Sequence, residues 1–148
     1  MAKSLEFDTN VFINCPFDEG YQPMLWAIVF TVLSCGFSPR SAMEENDAGA
    51  IRLDKIKRLI KESRLGIHDI SRTELDRSSG LPRFNMPFEL GIDLGARAYG
   101  NRQLARKKML IFDRDQYRYQ QFLSDIAGQD ISAHGDSVVT VILKVRGW

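Results

Sequence analysis

A carboxyl group interrupts an otherwise apolar, helix-like segment in the second half of the chain. Glu89 lies within residues 86–96, where most neighbours are hydrophobic or glycine. A carboxylate in such surroundings needs a partner or a function, because an unpaired charge is costly to bury. One such function is to attack or stabilise the anomeric carbon of a sugar. The alternative is structural, since a glutamate in the first turn of a helix meets free N–H groups and the positive end of the helix dipole.

Glycosyl chemistry commonly uses two carboxyls, and Asp69 is the candidate for the second. It lies near the end of residues 65–70, an apolar run typical of a buried strand. The alternative for Asp69 is a cap for the turn that begins at Ser71. We interpret the neighbouring His68 as a paired strand-end histidine rather than a metal ligand or a base.

Other side chains are suited to binding the sugar and the base of a nucleoside. Asn14 and Asp18 could hydrogen-bond sugar hydroxyls, and Phe17 with Tyr21 or Phe84 could stack on a base. They belong to segments that follow predicted strands or lead into predicted helices. Ligands of parallel sheets bind outside the carboxyl ends of the strands, so we expect these segments to meet there.

Three arginines could hold a phosphate in the same place. Arg40, Arg72 and Arg83 end or follow predicted strands, and a planar guanidinium binds phosphate through two hydrogen bonds. Asn85 belongs to the same candidate substrate-binding segment as Arg83. The alternative is that each arginine forms a surface ion pair.

Several cofactor motifs are missing from the sequence. The first strand is not followed by Gly-x-Gly-x-x-Gly, and there is no P-loop. The two histidines and two cysteines are too far apart for the short pairings of structural zinc sites. We therefore expect no metal and no cofactor, with NAD or a nucleotide possible as a substrate.

Strand-like and helix-like segments alternate along the chain. Strands are predicted at residues 11–13, 37–43, 65–70 and 108–112, and helices at residues 21–35, around Ile56, and at 87–99, 117–126 and 137–146. Polar loops are predicted at 44–50 and 71–85. This alternation predicts an α/β fold with a mostly parallel sheet of four to five strands, covered by helices on both faces. The helix at 21–35 is apolar on nearly all sides, which predicts that it packs under other layers.

Composition indicates one globular domain over residues 1–148, with 44% hydrophobic and 26% charged residues. The formal net charge of +1 argues against nucleic acid or an anionic membrane as a partner. The longest apolar run is too short to cross a bilayer, and no export signal begins the chain, so we expect a cytoplasmic protein. The basic clusters at 55–61 and 102–108 are expected to be solvated.

With these residues located, the chain resembles a bacterial branch of the nucleoside 2-deoxyribosyltransferase-like superfamily, which is related in plan to TIR domains. The resemblance is carried by Val11-Phe12-Ile13-Asn14-Cys15-Pro16-Phe17, Ile67-His68-Asp69-Ile70-Ser71 and Met86-Pro87-Phe88-Glu89-Leu90-Gly91. It implies a flavodoxin-like three-layer sandwich.

The resemblance also implies roles for particular residues. In that family a Pro-Phe turn lies beside the substrate, an aspartate follows a central strand, and a glutamate opening the next helix attacks the sugar. These correspond here to Pro16-Phe17, Asp69 and Glu89. The transferases usually carry Asp-x-Gly-Thr where this chain has residues 83–86. This departure argues against deoxyribosyl transfer and leaves cleavage or exchange of an N-glycosidic bond.

The implied substrate is a nucleoside, a nucleotide or NAD, and the relation to TIR-like domains extends to bacterial antiphage defence. Such domains often complete their sites by self-association, so a homodimer or higher homo-oligomer is expected. The alternative function is a non-catalytic nucleotide sensor or an interaction domain.

Overall fold

The computed structural model describes residues 2–44 and 49–148 of the chain. Its five strands form one parallel sheet in the order β2-β1-β3-β4-β5. The strands are β1 Asn10–Asn14, β2 Ser38–Arg40, β3 Leu65–Asp69, β4 Lys108–Asp113 and β5 Ser132–Ala133. The helices are α1 Ala2–Thr9, α2 Gln22–Ser34, α3 Arg52–Glu62, α4 Asn85–Tyr99 and α5 Val138–Gly147. The predicted α/β class is confirmed, and the strand order is that of flavodoxin-like folds.

Two helical layers enclose the sheet. One core unites α2 and α5 with alternate residues of the central strands, such as Val11 and Ile13 of β1. On the other face, Phe12 packs against α3 and α4. This alternation is the two-residue period of a strand, and it decides which layer each strand-end side chain joins.

The chain reverses its direction of travel across the sheet beside β1. It passes from β1 outward to β2 and then returns to form β3 on the other side of β1. Asn14 lies opposite His68 in the paired strands. The carboxyl ends of β1 and β3 therefore form the topological switch point, where ligands of open α/β sheets bind.

Two helices expected near the carboxyl terminus turn out differently. The predicted helix at 137–146 is confirmed as α5, and Ser137 caps it by accepting the Thr140 N–H at 3.2 Å. The prediction of one helix at 117–126 is wrong, because that segment holds two short 3-10 helices, Arg118–Gln121 and Ser124–Ile126. Tyr117 adopts a left-handed conformation with φ of 62°, which prevents a regular helix from starting there.

Other differences concern boundaries and surfaces. The helix α1 and the two-residue strand β5 were not predicted, and β2 is shorter than the segment at 37–43. Residues 45–48 of the predicted loop at 44–50 lie outside the described residues. The inner face of α2 is buried as expected, but its outer face is open to solvent. Within residues 2–44 and 49–148, no helix has the length and apolarity to cross a membrane.

Candidate functional site

A cavity of about 280 Å³ opens at the carboxyl ends of the central strands. Four segments form its walls: the turn after β1, the start of α3, the loop after β3 and the start of α4. The lining residues are Pro16, Phe17, Asp18, Arg52, Arg72, Arg83, Asn85 and Met86. We call this cavity the switch-point crevice. It unites several of the predicted substrate-binding residues.

Three guanidinium groups give the switch-point crevice its charge. Arg72 lies 3.9 Å from the Asp18 carboxylate, and Arg83 lies 3.6 Å from Asp76. Both distances are long for ion pairs, so these guanidinium groups keep hydrogen-bonding capacity for a ligand. Arg52 is the third. Its place two residues after the polar stretch at 44–50 and at the start of an amphipathic helix was the available sequence signal.

The predicted role of Arg40 does not match its position. Arg40 lines a separate cavity of about 780 Å³ that reaches the amino end of the sheet at Asn10. Its guanidinium binds Glu44 at 2.9 Å and lies 3.7 Å from Glu62. Arg40 therefore behaves as the alternative reading expected, as an ion-pair partner.

Glu89 follows Asn85 by one turn of α4, is only 5% exposed, and is not among the residues that line the switch-point crevice. Because α4 begins at Asn85, Glu89 falls in the second helical turn, and the first-turn capping alternative is wrong. Asn85 and Glu89 are four residues apart and so share one face of the helix. Within the described ranges, no hydrogen bond or ion pair joins the Glu89 carboxyl to another residue.

The pKa of Glu89 is raised above its ordinary value because burial disfavours the charged carboxylate. The nearby Arg52 guanidinium acts in the opposite direction and partly restores the charged form. A carboxyl whose pKa is raised by burial, one helical turn from the cavity-lining Asn85, is a candidate functional group.

Asp69 has a different environment. Its carboxyl is completely buried and accepts hydrogen bonds from the Tyr21 hydroxyl and, at 2.8 Å, from the Ser71 N–H. His134 Nε2 lies 3.1 Å from the same carboxyl. His134 Nδ1 accepts the Asp136 N–H at 2.9 Å, so Nε2 is the nitrogen that carries the proton. The turn-capping reading of Asp69 is thus confirmed, and the strand period directs its side chain toward the α2 and α5 layer.

The predicted stacking residues are dispersed. Phe17 lines the switch-point crevice, but Tyr21 is buried and Phe84 is exposed outside it. The pKa of Tyr21 is raised well above its ordinary value, first by burial and then by the Asp69 charge. Tyr21 is therefore a permanent donor to Asp69.

A buried polar chain lies under the crevice floor. Asn14 Nδ2 donates to the Met86 carbonyl at 2.9 Å and lies 3.0 Å from His68 Nδ1. His68 Nε2 lies 2.9 Å from Asp93, and Asp93 also pairs with Lys107 at 3.1 Å. His68 is therefore a paired histidine, as expected.

Gly66 makes room for this chain. A Cβ at that position would lie 2.7 Å from Asp93 Oδ2 and 3.0 Å from His68 Nε2. The pair between Asp93 and His68 thus needs a residue without a side chain in the middle of β3. The chain anchors α4 to β1 and β3, and Asn14 acts in the site by positioning Met86 rather than by lining the crevice.

Both candidate carboxyls act electrostatically on the buried Cys15 thiol. Burial raises its pKa well above the ordinary value, and the charges of Asp69, Glu89 and Asp18 raise it further, in that order. Cys15 is consequently an inert thiol at neutral pH. Among the residues that the structure describes, no group of three or more His, Cys, Asp or Glu side chains could hold a metal ion.

Comparison with known proteins adds no assignment to this geometry. No protein-family model, curated protein or solved structure matches the chain.

Proposed function

We propose that the switch-point crevice binds a nucleoside, a nucleotide or NAD and that Glu89 promotes cleavage or exchange of the N-glycosidic bond. The observation that carries this proposal is the nearly buried Glu89 carboxyl, which has no partner in the described residues. It lies one helical turn after Asn85, which lines the crevice. An isolated buried acid is destabilising, and such features persist where function requires them.

The crevice has the charge expected for a phosphate-bearing substrate. Arg52, Arg72 and Arg83 line it together with one carboxylate, Asp18. The guanidinium groups would hold phosphate oxygens, and Asp18 would accept a hydrogen bond from a sugar hydroxyl. These features favour a nucleotide or NAD over a nucleoside.

In the proposed reaction the bond between the base and the anomeric carbon breaks, and its electron pair leaves with the base. The Glu89 carboxylate stabilises the positive charge that develops on the ribosyl group. Water, or the hydroxyl or amine of an acceptor, then attacks the anomeric carbon, and the proton it loses goes to the departing base. The raised pKa of Glu89 implies that activity increases with pH as this carboxyl ionises.

Asp69 takes a supporting role in this proposal. Its carboxyl orients Tyr21 and fixes the turn at Ser71, which precedes Arg72. Asp69 and Tyr21 are thus positioning residues, and Glu89 is the catalytic residue.

The test is to incubate the full chain with NAD, nucleotides and nucleosides and to measure released base by chromatography. We expect wild type to release base and Glu89→Gln to release at least a hundredfold less. Glu6→Gln is the matched control, since Glu6 is an exposed acid in the separate cavity that holds Arg40. Equal release by wild type and Glu89→Gln would remove Glu89 from the chemistry.

A second candidate function is nucleotide sensing without turnover, in the manner of a TIR-like signalling domain. It is favoured by one observation, namely that the expected partner acid, Asp69, is sealed inside the protein. Calorimetry separates the two functions: binding of a nucleotide without release of base supports the sensor, and release of base supports the enzyme. For a sensor, Arg52→Ala and Arg72→Ala should each weaken binding about tenfold or more.

A further inference from the structure

The solvent-facing side of α2 carries no charged residue. Trp26, Phe30 and Leu33 follow one another at helical spacing and are between 57% and 67% exposed. The remaining exposed positions of the helix are Gln22, Pro23 and Ser34. A helix that is hydrophobic on all sides is typical of a buried helix, yet this one forms an outer layer of the fold.

The apolar surface continues onto the neighbouring helix. α5 packs beside α2, and its outer residues Val139 and Leu143 are exposed to the same degree. Trp148 follows at the end of α5 and is also exposed. We call the six residues Trp26, Phe30, Leu33, Val139, Leu143 and Trp148 the α2–α5 face. Both tryptophans of the chain belong to it.

We propose that the α2–α5 face is the interface between two copies of this chain. The exposed fractions of its residues correspond to on the order of 700 Å² of apolar surface per copy. This area exceeds the roughly 300–600 Å² of the largest patch on a typical monomer. It approaches the ~800 Å² that each partner contributes to a standard interface.

The lack of charge on the α2–α5 face favours a second copy of the chain as the binding partner. In a dimer with two-fold symmetry the same patch meets itself, so any charge at its centre would face a like charge. The α2–α5 face has none at its centre, and the charged residues of α5, Lys144 and Arg146, lie in its last turns. Aromatic side chains in such numbers are also characteristic of interface cores.

This interface leaves the switch-point crevice open. The crevice is lined by the turn after β1 and by the starts of α3 and α4, whereas the α2–α5 face is the outer surface of the opposite layer. Dimerisation and ligand binding are therefore separable, and the proposal does not depend on the proposed function.

Sedimentation of the full chain tests the proposal, with tryptophan fluorescence as a second readout. We expect wild type to sediment at twice the mass of one chain and to show a red shift in emission on dilution, as Trp26 and Trp148 become exposed. Phe30→Glu and Leu143→Lys should each give a monomer with red-shifted emission at every concentration. Circular dichroism should show that both variants keep their helical content. One folded variant is enough to test whether the substitution separates the dimer.

Tyr99→Glu is the matched control, because Tyr99 is 92% exposed but ends α4 in the other layer. It should leave the dimer intact. A wild-type monomer at all concentrations would overturn the proposal, and so would a dimer that survives both Phe30→Glu and Leu143→Lys. A monomer that sediments with anionic lipid vesicles would overturn it in favour of a membrane surface as the occupant.

Discussion

The buried polar groups around Asp69 and Asp93, one on each face of the sheet, are together called the sealed polar network here, and their carboxyls differ from that of Glu89 in how they are paired. In the network, Asp69 accepts hydrogen bonds from Tyr21 and Ser71. Asp93 lies between Lys107 and His68. Glu89, which follows the crevice-lining Asn85 by one helical turn, is 5% exposed and makes no hydrogen bond or ion pair in the described part of the chain.

The difference indicates that the two regions serve different ends. The Tyr21 hydroxyl and the Ser71 N–H, which donate to Asp69, connect it to the start of α2 and to the turn after β3, as a stabilising network requires. The Glu89 carboxyl has no donors and adds no hydrogen bond to the fold, which is why the proposed function assigns it to a ligand. The two regions should therefore respond differently when a charge is removed.

The largest effect is expected for the buried cation of the network. Lys107→Met removes the cation that pairs with the buried Asp93 and deprives the Ile60 and Ser63 carbonyls of their donor. We expect unfolding in urea to show a loss of about 3–5 kcal/mol. Lys108→Met is the control. Lys108 is exposed and follows Lys107 directly, so its replacement should change the free energy of unfolding by less than about 0.5 kcal/mol. Equal effects of the two variants would show that Lys107 does not compensate a buried charge.

An intermediate effect is expected for Asp69→Asn. Tyr21 and Ser71 donate to different oxygens of Asp69, and the amide has only one accepting oxygen, so one buried donor loses its acceptor, at a cost of about 1–3 kcal/mol. Below its melting temperature the variant should keep its release of base within tenfold of wild type, in contrast to Glu89→Gln. Asp115→Asn, which affects an exposed pair with Arg114, is the stability control. A stable variant without activity would return Asp69 to the chemistry.

The fold could be predicted well from sequence because hydrophobic periodicity records burial directly. The strands β1, β3 and β4 and the helices α2, α4 and α5 all follow such patterns. The failures lie where the pattern is weak: α1 is a mixed segment, and β5 has only two residues. The prediction that other layers cover all sides of α2 failed for another reason. Periodicity indicates that a helix face is apolar, but it does not indicate whether this chain or another molecule covers that face.

The location of the candidate site could be predicted from sequence, but most contacts between its side chains could not. The switch point and the residues Phe17, Asp18 and Asn85 follow from the order of elements. The contacts of Asp93, Lys107 and His134 depend on packing between distant segments, and no local pattern reports them. Lys107 lies in a basic cluster expected to be solvated, and only its place directly before a buried strand sets it apart from its neighbours.

The smallest effect, and the sharpest test of the comparison, is the pH dependence of stability at Glu89. Because its pKa is raised on folding, the native protein binds this proton more tightly than the unfolded chain does. The stability that Glu89 contributes is therefore complete below its ordinary pKa of 4.5 and is lost as pH rises through the higher native pKa.

Glutamine carries no charge at any pH, so Glu89→Gln should equal wild type near pH 4 and exceed it at neutral pH. We expect a gain of about 0.5–1 kcal/mol, within the range of stabilising replacements at functional sites. Urea unfolding of wild type and Glu89→Gln across this pH range measures the difference. If Glu89→Gln instead loses stability as pH rises, the carboxylate has a structural partner, and the contrast between the two regions disappears.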